Sequence, residues 1–506
     1  MMISTDERSD VVVVGGGSAG SVIASRLSEN PDRTVTVLEA GYGSGPEAMM
    51  IPSRWPELLG SEIDWGLTTA RQPLLGGRMV PYPRGKVLGG CSSINVMVHL
   101  RGHRLDYDGW AAGGAHGWSY DELLPYFRRT EHTTGRDERL RGLGGPMRVG
   151  PVEVRHPVSQ GCLAALAELG LPLSEDLNGR DQEGGAWLDF TITGGARQSA
   201  YEAYLRPWGH RPNLRVVCGG AVRSLLIEDG RCTGAEYVVD GELRTVHAGQ
   251  VVLSAGAIGS PQLLMLSGVG PAAELERHGI TVRAHAPEVG RNLQDHVLAG
   301  VVYATREQLP RSPNVYCDAL AALRTRADLA QPDVQILFGD IPFHPAVSEG
   351  PAHGFTLLVS QLQPHSRGTV SLSSADPAAP PCVDPRYFED PRDLDTMVAG
   401  LRLARRIGES AALAHLRDEE VLPGPEVDDE RALAAYVQRA ATTYFHPVGT
   451  CRLGNDPGAV VDTELRVNGI ENLRVADASV MPTIVSANTN ATVLAIAERA
   501  AEWMRG

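Results

Sequence analysis

The sequence predicts an α/β protein in which a Rossmann-type dinucleotide-binding domain is joined to a discontinuous α+β domain containing an antiparallel sheet. Residues 11–14 are an unbroken valine run that stops at Gly15-Gly16-Gly17, as a strand buried on both faces of a parallel sheet does. The chain next reads as a helix over 21–27 and returns as a second strand over 34–38, ending at Glu39. Farther on, apolar runs at 334–338, 355–359 and 368–372 are separated by polar turns, the pattern of antiparallel strands.

Gly15, Gly17 and Gly20, with Ser18 and Ala19 between them, fit G-x-G-x-x-G. The first glycine makes the turn, the second lets backbone approach a pyrophosphate, and the third lets the helix pack on the strand. The helix N-terminus favours a bound phosphate. Glu39, followed by Ala40, stands where a carboxylate takes a ribose hydroxyl. It repels a 2′-phosphate, which disfavours NADP and leaves FAD and NAD both open.

Composition narrows the function classes. At 506 residues the chain is long enough for two or three folding units. A net charge of −15 argues against nucleic acid and against anionic membranes. There is no run of eighteen apolar residues, and the N-terminal Met-Met-Ile-Ser-Thr-Asp-Glu-Arg lacks the features of a leader, so no membrane insertion and a cytoplasmic location are expected. Seven scattered cysteines, without C-x-x-C, read as reduced thiols. No H-E-x-x-H occurs and the histidines are dispersed, so no metal is expected.

After the nucleotide unit, residues 41–85 read as irregular, and long irregular stretches tend to be functional loops. A second glycine-rich segment follows, with Arg84, Gly89, Gly90, Cys91, Ser93, Ile94, Asn95, Met97 and Val98. Its small residues allow backbone to lie close to a flat ligand; a turn leading into a helix near Ser92 is the alternative. Residues 256–270, 444–452 and 477–492 form three further motifs: Gly-Ala-Ile-Gly-Ser-Pro-Gln, then Tyr-Phe-His-Pro-Val-Gly-Thr-Cys-Arg, then Asp-Ala-Ser-Val-Met-Pro through Asn-Thr-Asn-Ala-Thr.

Taken in this order, the five motifs resemble those of the glucose-methanol-choline (GMC) oxidoreductases, FAD enzymes that oxidise alcohols, over nearly the whole chain. The resemblance implies an FAD-binding domain in three pieces, 1–155, 214–300 and 436–506, and a substrate-binding domain in two, 156–213 and 301–435. Strands at 214–217, 222–227 and 251–253 fit a return to the nucleotide domain, and the resemblance implies that Val222 lies by the adenine. A helix over 394–409 follows from the spacing of Leu394, Met397, Val398, Leu401 and Leu403. The charged run 136–141 reads as a solvated loop.

Oxidising an alcohol on a flavin requires a group that takes the hydroxyl proton and a group that orients the oxygen. Histidine suits the first, because its ordinary pKa lies near the working pH. His446, between Phe445 and Pro447, is the candidate, and the resemblance implies that it is catalytic. An amide suits the second. The resemblance implies Asn490 beside the histidine, Asn488 and Thr489 by the flavin, and Asp477-Ala478 near the pyrophosphate and ribityl chain. Capping of the C-terminal helix is the alternative for either asparagine.

Some choline-oxidising members bind flavin covalently through a histidine at the position matching Ile94. Isoleucine cannot form that bond, so non-covalent FAD is expected unless His99 takes the part. The expected substrate pocket comprises Met97, Gln335, Tyr444 and Phe445, with Phe343, His344 and Gln361 in the same block. A primary alcohol, aromatic or heteroaromatic, suits these surroundings; choline wants an aromatic cage and a carboxylate. O2 is the expected acceptor, giving H2O2, with a quinone- or carrier-linked, choline-type dehydrogenase as the alternative. In oxygen-using members the residue matching Tyr444 is often small. A hydroxynitrile lyase shares the scaffold, and Asn490 favours oxidation over it.

Overall fold

The structure is a computed structural model that describes residues 6–344 and 350–505. Residues 1–5, part of the stretch read as lacking a leader, lie outside the described residues. The chain builds two large sheets. The first is ordered Leu214–Cys218, Val35–Glu39, Asp6–Val14, Glu242–Leu253, Arg231–Val239 and Ala221–Glu228. Its first four members run parallel, and the last two return as an antiparallel meander. Glu242–Leu253 changes partner along its length: residues 242–247 pair with the meander, while Val251–Leu253 pairs in parallel with Leu473–Val475.

The valine run sits at the centre of this sheet because it is covered on both faces; Val12 and Val13 are wholly buried. Helix Ser18–Leu27 covers one face through Ala19, Val22, Ile23 and Leu27. The C-terminal helix Asn490–Arg505 packs alongside it, fastened where Arg26 grips Glu498 at 2.8–3.1 Å and Tyr204 Oη donates to the same carboxylate.

The second sheet is wholly antiparallel, ordered Arg417–Leu422, Val297–Thr305, Gly354–Gln361, Val334–Gly339, Cys317–Leu323 and Gly184–Trp187. Thr442–Thr443 adds to the start of Val297–Thr305. Period-two alternation decides its two faces. Val297, Ala299, Val301 and Tyr303 pack against Met397, Leu401, Ala404 and Ile407 of helix Pro391–Gly408. Leu298, Leu337 and Leu358 belong to a separate apolar cluster on the opposite face. The helix lies close because Gly400 sits over Val359, where an added Cβ would come within 2.5 Å of Cγ1.

Three readings are corrected. The run at 368–372 is a strand only over Thr369–Ser371, and it pairs with Cys382–Asp384 in a separate two-stranded ribbon. No helix starts near Ser92: Gly90–Ser93 is a single 3₁₀ turn, and the next helix is Arg104–Ala112. The run 136–141 is not wholly solvated. Arg141 is 1% exposed and reaches Glu131, Asp176 and Asp189 at 2.8–2.9 Å, so one guanidinium bridges three carboxylates, with Arg101 also on Glu131 and Arg136 also on Asp189. The expected piece boundaries also meet continuous elements: strand Val297–Thr305 crosses residue 300.

Candidate active site

Four parallel strands end at one crevice, the place where open α/β sheets bind ligands. Gly15 follows the first, Glu39 ends the second, Ser254 follows the third and Asp477 lies two residues beyond Leu473–Val475. Gly15 turns with φ +98°, and a Cβ on Gly20 would lie 1.8 Å from the Gly15 carbonyl oxygen. Gly20 therefore serves helix packing and does not line the crevice. The Glu39 carboxylate accepts the N–H groups of Gly16 and Gly41, each at 2.8 Å. Burial pushes that carboxyl up to about 7, against the pull of these two donors.

The second glycine segment packs backbone to backbone on the first. Gly89 N–H donates to the Gly16 carbonyl at 2.8 Å, and Gly90, at φ +53°, lies so near Gly17 that an added Cβ would stand 2.8 Å from its Cα. Gly90→Ala is expected to separate the two turns and weaken FAD binding by about 10-fold or more, from the 1–3 kcal/mol that such backbone costs. Titration of apoprotein with FAD checks this. Asn95 Oδ1 accepts from Met97 N and from Arg197 Nη1 at 2.9 Å, while Arg197 Nε donates to the Met49 carbonyl. Arg197, far off in sequence, thus bolts this segment in place.

The cavity these turns open has a volume of about 790 Å³, towards the upper end of ligand pockets at roughly 300–1,000 Å³. Its lining includes Gly15, Gly17, Ser18, Ala19, Glu39, Ala40, Arg84, Gly90, Asn95, Val98, Val222, Asp477, Ala478, Asn488 and Thr489, as well as Tyr444, Phe445, His446 and Asn490. Other expected residues stand behind it. Gly89 and Ser93 shape the second turn, Ser93 Oγ donating to the Leu88 carbonyl at 2.7 Å. Met97, at φ +57° and wholly buried, packs in the apolar cluster between two residues that do line the cavity, Val96 and Val98. Gln335 is buried in strand Val334–Gly339 with both amide atoms unpartnered, and it does not line the cavity. Neither His344 nor Gln361 lines it, whereas Phe343 does.

Asp477 organises the nucleotide end: Oδ2 accepts Gly256 N–H and Ser260 Oγ–H at 2.9 and 2.6 Å, at the start of helix Gly256–Leu266. Ile94 lines the cavity and packs on Met49, Leu58 and Ile63. His99 is held by Glu131 at 3.2 Å within the Arg141 cluster and does not line the cavity. The glycine turns, the backbone donors beside them and Glu39 fit a dinucleotide such as FAD.

His446 lies at the other end of the cavity, 8% exposed. Asp295 sets its backbone: one carboxylate oxygen accepts His446 N–H at 2.8 Å, and the other accepts the hydroxyls of Thr443, Tyr82 and Tyr387 at 2.6, 2.9 and 2.5 Å. Phe445, immediately before, is held at φ +66°, with Arg84 Nη2 on its carbonyl at 2.8 Å. His446 Nδ1 is 2.9 Å from His296 Nδ1, and His446 Nε2 is 3.2 Å from Asn488 Nδ2. Burial, then His296 and the Arg84 charge, hold the His446 imidazole well below its ordinary 6.5. It is neutral at pH 7, as a proton acceptor must be.

The amide that meets His446 is therefore that of Asn488, where Asn490 was expected. Asn490 is the first residue of helix Asn490–Arg505, so its side chain leaves from the helical turn while Asn488 lies in the segment before it. Asn488 Oδ1 and Tyr444 Oη are buried without a protein partner. The wall beyond them is apolar, with Trp55, Val98, Leu298, Leu337, Phe343 and Leu358 in one cluster with Tyr444. His296, Asp295, Arg197 and Trp55 were not singled out in the sequence. An Asp-His pair just ahead of an apolar strand was the available signal for the first two, and nothing local marks the others.

Comparison with known proteins adds a family. Profiles described as GMC oxidoreductase match residues 9–298 and 364–497. An alcohol dehydrogenase [acceptor] of Pseudomonas putida is 36% identical over 97% of this chain and 95% of its own. The mitochondrial choline dehydrogenase of Homo sapiens is 39% identical over 99% of this chain and 90% of its own. The crystal structure of pyridoxine 4-oxidase from Mesorbium loti superposes with a TM-score of 0.95 at 36% identity, covering 98% of this chain and 99% of that one.

Proposed function

Because the chain belongs to the GMC oxidoreductase family and is an oxidoreductase acting on CH–OH donors, we propose that it oxidises a neutral, apolar-bodied primary alcohol to the aldehyde with non-covalent FAD, His446 acting as base. The observation that carries this reading is a neutral, desolvated imidazole with an amide N–H group beside its Nε2, both at the end of an apolar chamber. His446 Nε2 takes the hydroxyl proton while an N–H of Asn488 Nδ2, the amide nitrogen beside it, donates to the substrate oxygen. The aliphatic wall and Trp55 exclude water and seat the alcohol body. FAD, when bound, accepts the carbinol hydride. Ile94 offers no atom for a bond to the cofactor, so intact FAD should be released on acid denaturation.

The charge of the chamber supports the substrate class. Among the described residues the carboxylates lining the cavity are Glu39 and Asp477, both at strand ends on the nucleotide side. A trimethylammonium group would meet Leu298, Leu337 and Leu358 together with the rings of Trp55, Phe343 and Tyr444, but no carboxylate to balance its charge. Choline is therefore expected to give a kcat/KM roughly 10²-fold below that of benzyl alcohol, the cost of burying a charge unpaired. Steady-state rates with both substrates check this.

O2 is the proposed acceptor, in keeping with the similar oxidase, while the similar dehydrogenases keep a carrier as the second reading. The test is anaerobic mixing of holoenzyme with benzyl-type, furan, pyridoxine-like, aliphatic and choline alcohols while flavin absorbance is followed, and then admission of air. Bleaching followed by fast recovery with peroxide supports the full reading. Slow recovery reassigns the acceptor to a carrier, and absence of bleaching by every alcohol rejects the reading.

A further inference from the structure

The two buried histidines fix each other's protons. His296 Nε2 lies 3.1 Å from the Leu362 carbonyl oxygen. A carbonyl only accepts, so that nitrogen carries its hydrogen. His296 is wholly buried, and burial lowers it to about 4, so the ring is neutral and its Nδ1 holds a lone pair. The 2.9 Å contact between the two Nδ1 atoms needs one hydrogen, which must then sit on His446. A neutral His446 protonated at Nδ1 has its lone pair on Nε2, the atom beside Asn488 Nδ2.

We propose that His296 is a positioning residue whose Nδ1 holds His446 in the Nδ1–H tautomer, so that Nε2 is always the free base. The inference rests on the base role given to His446 above. In the step concerned, the alcohol O–H bond breaks and an Nε2–H bond forms on His446, the electron pair staying on the substrate oxygen. The resulting imidazolium keeps its Nδ1–H on His296. The other groups facing the pair leave this arrangement intact. Asp295 spends its carboxylate on the His446 backbone and three hydroxyls, Arg84 is turned to the Phe445 carbonyl, and Tyr444 presents its ring, with centroids 4.3 Å apart. Without the His296 acceptor, nothing on the Nδ1 side prevents the hydrogen from moving to Nε2, where it blocks the base.

A catalytic histidine held in the wrong tautomer loses up to about 10⁴ in rate. His296→Leu is expected to slow anaerobic flavin reduction by about 10²–10³-fold with FAD content unchanged. His296→Asn, whose amide oxygen can accept from Nδ1–H, should recover most of that loss. Nitrogen-15 NMR of histidine-labelled wild-type holoenzyme reports the tautomer directly and does not depend on either variant folding. The expected His446 signals are a protonated Nδ1 and a bare Nε2. A bare Nδ1, a His296→Leu rate equal to wild type, or an Asn variant as slow as the Leu variant would each overturn the proposal. A wild-type rate in His446→Ala would instead remove the base reading on which it rests.

Discussion

His446→Ala is expected to slow anaerobic bleaching of the flavin by an alcohol about 10³-fold, within the range that a positioned base contributes, while the protein stays yellow. The loss should be large because the other polar groups at this end of the cavity are poor proton acceptors at neutral pH. Asn488 is an amide, and burial raises the pKa of Tyr444 well above its ordinary value. FAD should be retained because Asp295 grips the backbone N–H of residue 446, which alanine keeps, and the nucleotide cradle lies on the other sheet. Stopped-flow absorbance and FAD content per chain check the two halves separately. The pH profile follows from the same site. A base held below 6.5 stays unprotonated to lower pH, so the acid limb of flavin reduction should fall below pH 6.5. A limb above that value would mean that another group titrates.

The second large effect is expected at Asn488. Asn488→Ala removes the donor 3.2 Å from His446 Nε2 and the buried oxygen beside it. Loss of one preorganised donor to a reacting oxygen costs about 10²–10³-fold in rate. Asn490→Ala should stay near wild type in flavin reduction, because that residue opens a helix and is half-buried at the cavity edge. Measuring both variants in the same single-turnover assay separates the assignments. Equal losses, or a larger one at Asn490, would return the substrate-orienting role to Asn490.

What could be read in the sequence was what depends on short-range pattern. The valine run, the three glycines and Glu39 lie within one βαβ unit, where each residue type has a local steric or electrostatic reason; Val14, Gly15, Gly17 and Glu39 fall at the crevice, and the others build the strand and helix that carry it. Helix Pro391–Gly408 was legible because its apolar period is intact. The supports of the site were not, because they come from far away. His296 meets His446 across 150 residues and Arg197 reaches Asn95 across 102, and no spacing rule joins such pairs. Arg141 looked like a solvated charge because the carboxylates that neutralise it, Glu131, Asp176 and Asp189, are spread along the chain. The Asn488–Asn490 exchange was a matter of helix phase: two residues decide whether a side chain precedes the first turn or belongs to it, and boundaries are the least legible part of a helix. Gln335 misled differently: it shares the strand face of Leu337 and Gly339, which line the cavity, but stands two residues short of it along the strand.

The most direct test of the central claim is anaerobic single turnover with benzyl alcohol and with its analogue deuterated at the carbinol carbon. If the carbinol hydride is transferred in the step that follows proton removal by His446, bleaching of the flavin will be distinctly slower with the deuterated alcohol. It will be slower still in the His446→Ala variant with either. Bleaching that is indifferent to deuterium and to the loss of His446, or that fails with every alcohol while FAD is bound, would contradict the account.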